Sequence, residues 1–287
     1  MQEVPTAEVP VEVRIEFAHA ALQHLADREG VDLLHIKGIA FEPRWRSRVG
    51  GGSDADVIVR PSHCSRFVAA VESAGWRRRS RFRTGSPFGH AQTYWHDQLG
   101  YADVHRFFPG LRSDETTFDV LWRRRVERPL ATAPCAVPDE MTQALVFALN
   151  EARNGATTRT HARLADLVAS DLGREVAALV PAVGAEVGWA AALGELHRVR
   201  GHREHDLWHA VTRKSGRVAE WRARVRAERS LRAKAGLLLR VALVNTDHLA
   251  NVRGREPTTL EVVVEFGDRG RRAVLEVWRA RMRGGSR

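Results

Sequence analysis

The sequence is poor in lysine. Of its 45 basic residues only Lys37, Lys214 and Lys234 are lysine, and the rest are arginine. An arginine bias alongside abundant alanine, valine and glycine is what a GC-rich coding sequence yields, so the net charge of +10 is weak ground for a nucleic-acid partner. Cysteine is scarcer still. Cys64 and Cys135 stand alone, without metal-ligand spacing, which excludes a disulfide scaffold or a cysteine zinc site and fits a reducing compartment. No apolar run reaches the ~18 residues of a membrane span, so no membrane partner is expected. The opening Met1-Gln2-Glu3-Val4-Pro5 lacks the basic-then-apolar pattern of a signal peptide, and the expected location is cytoplasmic. No period repeats across the helical segments of the C-terminal half, so a solenoid is not indicated.

What remains is a chain of 287 residues, 44% hydrophobic, long enough for one large domain or two ordinary ones with a real core. Its most informative stretch is Gly51-Gly52-Ser53-Asp54-Ala55-Asp56-Val57-Ile58-Val59. The apolar run reads as a buried strand with two carboxylates at its head. Strand side chains alternate, so Asp54 and Asp56 share one face while Ala55 and Val57 take the other. Two carboxylates on one face are costly unless a cation neutralises them, and hard divalent ions such as Mg²⁺ favour oxygen-only ligands shared with substrate phosphates.

Upstream, Val11 to Arg28 carries apolar residues at three- and four-residue intervals, an amphipathic helix closed by Gly30. Val31 to Ile36 reads as a strand that stops at Lys37-Gly38, and Ile39 to Arg46 as a short helix. A glycine at a strand-to-helix turn lets backbone N–H groups approach an anion, with Lys37 adding a positive charge for phosphate. Downstream, a helix is expected over Ser62 to Gly75, an edge strand over Trp76 to Thr84, and strands over Ala91 to Asp97 and Tyr101 to Phe108. In the last of these Asp103 and His105 share a face. If it lies beside the first acidic strand, three carboxylates converge: Asp54 and Asp56 on metal, Asp103 as ligand and base. Those parts suit in-line transfer at phosphorus.

These pieces, Leu34-His35-Ile36-Lys37-Gly38, Arg48 ahead of Ser53-Asp54-Ala55-Asp56, Ala74-Gly75-Trp76 and Ala102-Asp103-Val104-His105, resemble in order and approximate spacing the uncharacterised nucleotidyltransferase family of the DNA-polymerase-β-like superfamily. The resemblance covers about Val31 to Phe108, with a looser match through Asp139 to Asp171. It implies an α+β fold: an N-terminal mixed-sheet nucleotidyltransferase domain flanked by helices over residues 1–130, followed by an all-helical domain over 131–287 that walls the acceptor side. It further implies that Asp54 and Asp56 hold two Mg²⁺ ions, that Asp103 completes the metal site and activates the acceptor hydroxyl, and that Lys37 and Gly38 lie along the nucleotide phosphates. Arg48, Ser53 and His105 join them as nucleotide- or phosphate-binding candidates. The implied reaction moves a nucleoside monophosphate from an NTP to a hydroxyl, with a small-molecule or peptide acceptor favoured over an RNA end. A nucleotide-binding relative that no longer transfers is the third reading.

The C-terminal half reads as helical. A helix is expected over Phe118 to Arg128, then a proline-punctuated connector from Pro129 to Pro138 that marks the domain boundary. Helices follow over Asp139 to Asn154, Arg159 to Ser170, Arg174 to Val180, Val187 to Arg200, His205 to Thr212, Ser215 to Asn245 and Val263 to Arg281. His205 and His209 have the spacing of two metal ligands, but Asp206 stands where a zinc protease has glutamate, and no third ligand is evident. The arginines from Arg217 to Arg240, alternating with Glu220 and Glu228, read as a solvated helix face.

Overall fold

The computed structural model describes residues 9–47, 52–82, 88–155, 158–228, 230–242, 258, 260–268 and 270–272. It is an α+β protein whose contacts divide it into two compact units. One is built on the sheet, running to Asn150 and taking in Asp166–Ala185; the other comprises Glu151–Ala165 and the chain from Glu186 onward.

In the sheet unit the chain opens with α1 (Val11–Glu29), ended by Gly30 in the left-handed conformation (φ 61°), whose N–H reaches back to Ala26 and Asp27. Five strands follow: β1 (Leu33–His35), β2 (Asp54–Val59), β3 (Arg77–Arg78), β4 (Ala91–His96) and β5 (Gly100–His105). They form one mixed sheet in the order β1-β2-β5-β4-β3. Only the β2–β5 pair is parallel. The helix α2 (Cys64–Ser73), entered through a 3₁₀ turn at Pro61–His63, crosses between β2 and β3.

Period-two alternation sorts the sheet into two faces. Ala55, Val57 and Val59 of β2 and Ala102 and Val104 of β5 pack with Tyr94 against Ile15, Ala18 and Leu22 of α1 and Phe67 and Val71 of α2, which makes the principal core. Asp54, Asp56, Asp103 and His105 are thereby left to the second face. The apolar register that builds the core also decides where the carboxylates go.

The segment after Gly38 is not one short helix but two 3₁₀ turns, Gly38–Ala40 and Pro43–Trp45. Arg46 closes them by donating to the carbonyls of Ile39 (3.2 Å) and Phe41 (3.0 Å). The expected helix over Phe118 to Arg128 is displaced: α3 spans Glu115–Arg123, capped by Asp114, whose carboxylate accepts from the Thr117 N–H at 2.8 Å.

The proline-punctuated connector proves to be a hairpin, β6 (Arg125–Leu130) with β7 (Ala133–Pro138). Its two-residue turn, Ala131-Thr132, holds both residues at positive φ (45° and 67°), as a type I′ turn requires. Leu130, Cys135 and Val137 of the hairpin bury against Ala40. Helices α4 (Glu140–Asn154), α5 (Thr158–Ala169) and α6 (Asp171–Val183) follow as expected in place.

In the second unit, the expected helix over Val187 to Arg200 divides into α7 (Glu186–Ala192) and a 3₁₀ turn at Leu196–Val199. His205–Thr212 forms α8, and the long helix expected over Ser215 to Asn245 is two, α9 (Arg217–Ala227) and α10 (Leu231–Ala242). Residues 260–268 and 270–272 are helical. The arginine face of α9 is not wholly solvated: Arg224 is buried, lies 4.9 Å from the Trp221 ring centroid and pairs with Glu220. Among the described residues no helix is long and apolar enough to cross a membrane.

Candidate functional site

The parallel register of β2 and β5 sets Asp54 opposite Tyr101, Asp56 opposite Asp103 and Ile58 opposite His105; β4 adds Trp95, Thr93 and Ala91 to the same rows. The second face of the sheet therefore carries an outer row of Asp54, Tyr101 and Trp95. A middle row of Asp56, Asp103 and Thr93 follows, and then an inner row of Ile58, His105 and Ala91. Asp56 and His105 are buried, while Asp54 and Asp103 are partly buried.

Asp56 is the hub. Its Oδ1 accepts a hydrogen bond from His105 Nε2 at 2.8 Å and pairs with the Lys37 ammonium. A carboxylate only 5% exposed keeps its charge at tolerable cost only with such partners. The bond from Nε2 to a carboxylate puts the imidazole proton on that nitrogen. The His105 ring is itself held among His90 (5.0 Å between centroids) and Phe108 (6.2 Å, stacked).

Lys37 reaches Asp56 from an unusual backbone conformation, φ 63° and ψ −175°, with Gly38 following at φ 52°. A non-glycine residue at positive φ is strained by about 1–3 kcal/mol, a cost that persists where surrounding structure demands it. The demand here comes from the ion pair and from β1, whose end is tied to β2 by the Ile36 N–H to Asp56 carbonyl bond of 2.9 Å.

Burial pushes the Asp103 carboxyl up to about 7, and the negative charge of Asp56 opposite drives it the same way. A hydrogen bond from the Thr93 side chain opposes them, the Asp54 charge adds to the rise, and Lys37 lowers it. Two carboxylates in register, one near its titration midpoint at neutral pH, form a site that gains from a cation.

The ligand atoms of Asp56, Asp103 and His105 all lie within 4.8 Å of one another, a group able to hold a metal ion. The donor set is two carboxylates and one imidazole. Two of the three donors are carboxylates, and an oxygen-rich set suits a hard divalent ion.

Of the residues singled out from the sequence, Asp56, Asp103, His105 and Lys37 come together. Asp54 shares the face and bears on Asp103 electrostatically, but it is not among the three whose ligand atoms cluster. Gly38 begins the 3₁₀ turn beside Lys37, and Ser53 is exposed in the bend ahead of β2. Arg48 lies outside the described residues. Thr93 escaped sequence reasoning, because only the β4–β5 register puts it beside Asp103.

A buried relay behind the site was equally hidden. His19 Nδ1 and His35 Nδ1 are 2.8 Å apart, His35 Nε2 meets Gln23 Oε1 at 3.0 Å, and the same oxygen accepts the Ala136 N–H at 3.1 Å. The amide oxygen only accepts, so His35 carries its proton on Nε2 and receives one from His19 Nδ1. Burial lowers the His19 pKa to about 4, partly offset by the Asp56 charge, and holds His35 well below the usual histidine range. His19 Nε2 is left buried without a hydrogen-bond partner. His205 and His209 stack at 6.1 Å between centroids in α8, and no metal-binding group includes them among the described residues.

No family model, curated protein or solved structure matches the chain.

Proposed function

We propose that this protein is a divalent-cation-dependent nucleotidyltransferase that moves a nucleoside monophosphate from an NTP to a hydroxyl of a small-molecule or peptide acceptor. The observation that carries the reading is the direct pairing of Asp56 with Asp103 across parallel strands, with the Lys37–Gly38 turn on one flank. The resemblance of the same residues to the uncharacterised nucleotidyltransferase family points the same way.

In this reading Asp56 and Asp103, with Asp54 beside them, hold Mg²⁺. The ion supplies charge neutralisation at the phosphates and stabilises the in-line displacement. His105 fixes the orientation of Asp56 through its Nε2–H. Lys37 and the Gly38 turn receive the β- and γ-phosphates. Asp103, which faces Asp56 from the neighbouring strand, takes the proton from the acceptor hydroxyl. That oxygen bonds to the α-phosphorus, the bond from the α-phosphorus to the bridging oxygen breaks, and pyrophosphate leaves with the electron pair. Cys64 and Cys135 are both free, which agrees with a reaction in the cytoplasm.

The test is pyrophosphate release from each of the four NTPs with Mg²⁺ and a panel of hydroxyl acceptors, alongside thermal shifts. Wild type should turn over, with Asp56→Asn and Asp103→Asn slowed by about 10²-fold or more. Equal turnover in all three proteins overturns the reading. Mg²⁺- and NTP-dependent stabilisation with no product from any acceptor would identify a nucleotide-binding relative without transfer. Labelled nucleotide entering bulk RNA would move the acceptor class to RNA.

A further inference from the structure

The chain has two tyrosines. Tyr94 is fully buried in the core, whereas Tyr101 is 45% exposed. Tyr101 occupies the outer row of the carboxylate face, directly between Asp54 on β2 and Trp95 on β4. Its ring meets Trp95 edge to face, with centroids 4.6 Å apart. The indole is pinned in turn: Trp95 Nε1 donates to Asp97 Oδ1 at 2.9 Å, and Asp97 pairs with Arg77, which sits opposite Trp95 on β3. A half-exposed phenol braced by an anchored indole makes a firm aromatic surface beside the acidic residues. Exposed aromatic rings held this way present a flat face for another ring.

The strand order gives the surface a direction. Lys37 follows β1 at one flank of Asp54 and Asp56, while Tyr101 and Trp95 lie on β5 and β4 at the other. In-line displacement requires the entering oxygen and the departing pyrophosphate on opposite sides of phosphorus. With the phosphates along Lys37 and Gly38, the acceptor arrives over Tyr101 and Trp95. Tyr101 lies two residues before Asp103, a separation of about 6.4–6.8 Å along a strand. A ring stacked on the phenol therefore lies one strand row from Asp103 and can present to it a hydroxyl that the ring carries.

We infer that the acceptor is a flat-faced ring compound carrying its own hydroxyl, a sugar or cyclitol ring or a phenol, and that Tyr101 and Trp95 are its specificity-determining residues. This rests on the nucleotidyltransferase reading of the carboxylate face. Both candidate ring types share the chemistry of a planar or flat C–H face stacked on an aromatic ring.

Binding is measured first without nucleotide, by ligand-observed NMR on the full chain. The saturated rings are methyl β-glucoside and myo-inositol, the aromatic ones N-acetyltyrosinamide and 4-ethylphenol, and the open-chain controls glycerol and 1,4-butanediol. At least one ring class should bind where the controls do not. Tyr101→Ala should weaken that binding by about tenfold, the scale of one lost ring stack, and Tyr101→Phe should retain it. Which class binds identifies the acceptor ring. Trp95→Phe, which keeps a ring but loses the bond to Asp97, serves as the second variant and should weaken the same probe less. Binding of no ring compound above the controls, or equal binding by wild type and Tyr101→Ala, overturns the inference. Ring binding lost in Tyr101→Ala while no NTP releases pyrophosphate would overturn the reaction and keep the surface. Pyrophosphate release indifferent to Tyr101 and equal for open-chain acceptors would do the reverse.

Discussion

Asp56 and Asp103 stand opposite each other on adjacent parallel strands, and the buried Asp56 carries the ion pair with Lys37 while Asp103 carries the raised pKa. Register thus gives the two carboxylates different surroundings: Asp56 meets Lys37 and His105, while Asp103 meets Thr93 and the Asp56 charge.

The first prediction concerns pH and has two parts of opposite sign. Asp103 binds its proton more tightly folded than unfolded, so its contribution to stability rises as pH falls from about 7 toward 3.8. The buried histidines do the reverse. His19 stays neutral to about pH 4 when folded but takes up a proton near 6.5 when unfolded, so its contribution is lost as pH falls through that interval. For His19 alone the loss is on the order of 3 kcal/mol. Urea denaturation between pH 7.5 and 4.5 should therefore show a steeper acid loss in Asp103→Asn than in wild type, and a shallower one in His19→Leu. Parallel pH profiles for all three proteins would contradict both assignments.

Backbone strain at Lys37 gives the second. Lys37→Gly and Lys37→Ala both remove the ammonium from Asp56, but only glycine accepts a φ of 63° without penalty. The glycine variant should be more stable than the alanine variant by about 1 kcal/mol. Equal unfolding midpoints would mean the strained conformation is not held in solution.

Arg60, just after β2, supplies the third. Its guanidinium reaches Asp32 (2.7 Å), Asp119 (2.7 Å) and Glu115 (3.2 Å) and lies 4.8 Å from the Phe118 ring centroid. The side chain is 15% exposed, so salt screens these bonds less than surface pairs. Arg60→Ala leaves three carboxylates facing one another and should cost about 1–3 kcal/mol. Arg60→Lys should recover only part of it, because an ammonium lacks the planar fork. Full recovery by lysine would reduce the network to a simple charge effect.

The corner between α5 and α6 yields the fourth. Ser170 caps α6 by accepting the Gly173 N–H at 3.2 Å while its hydroxyl donates to the Leu167 carbonyl at 2.6 Å. A Cβ on Gly173 would fall 2.1 Å from the Leu167 carbonyl oxygen, a backbone atom with little room to retreat. Gly173→Ala should lower stability by about 1–3 kcal/mol, read from the thermal midpoint. An unchanged midpoint would show that the corner opens freely.

Much of this fold could be read along the chain where period and punctuation agree. The helix α1 ends at Gly30, β2 begins at Asp54, and α8 spans the expected residues, because a local pattern in each case matches what the tertiary structure asks. The hairpin β6–β7 was not legible. Pro129, Pro134 and Pro138 argue against paired strands, and Ala131-Thr132 lacks the Asn-Gly that announces a type I′ turn. The prolines are tolerated because a two-stranded ribbon leaves each strand an unpaired edge, and burial of Leu130, Cys135 and Val137 offsets the turn strain.

By itself the sequence determined which residues share a face. Alternation within β2 and within β5 puts Asp54 with Asp56, and Asp103 with His105, whatever else the chain does. Only the tertiary structure decided that Asp56 meets Asp103 and not a neighbour two residues away, that Thr93, Tyr101 and Trp95 join them, and that His19 and His35 lie buried behind. Those relations depend on strand register and strand order. Both are set by the fit of Ala55, Val57, Ala102 and Val104 under α1 and α2, a matter of packing between segments far apart in the chain.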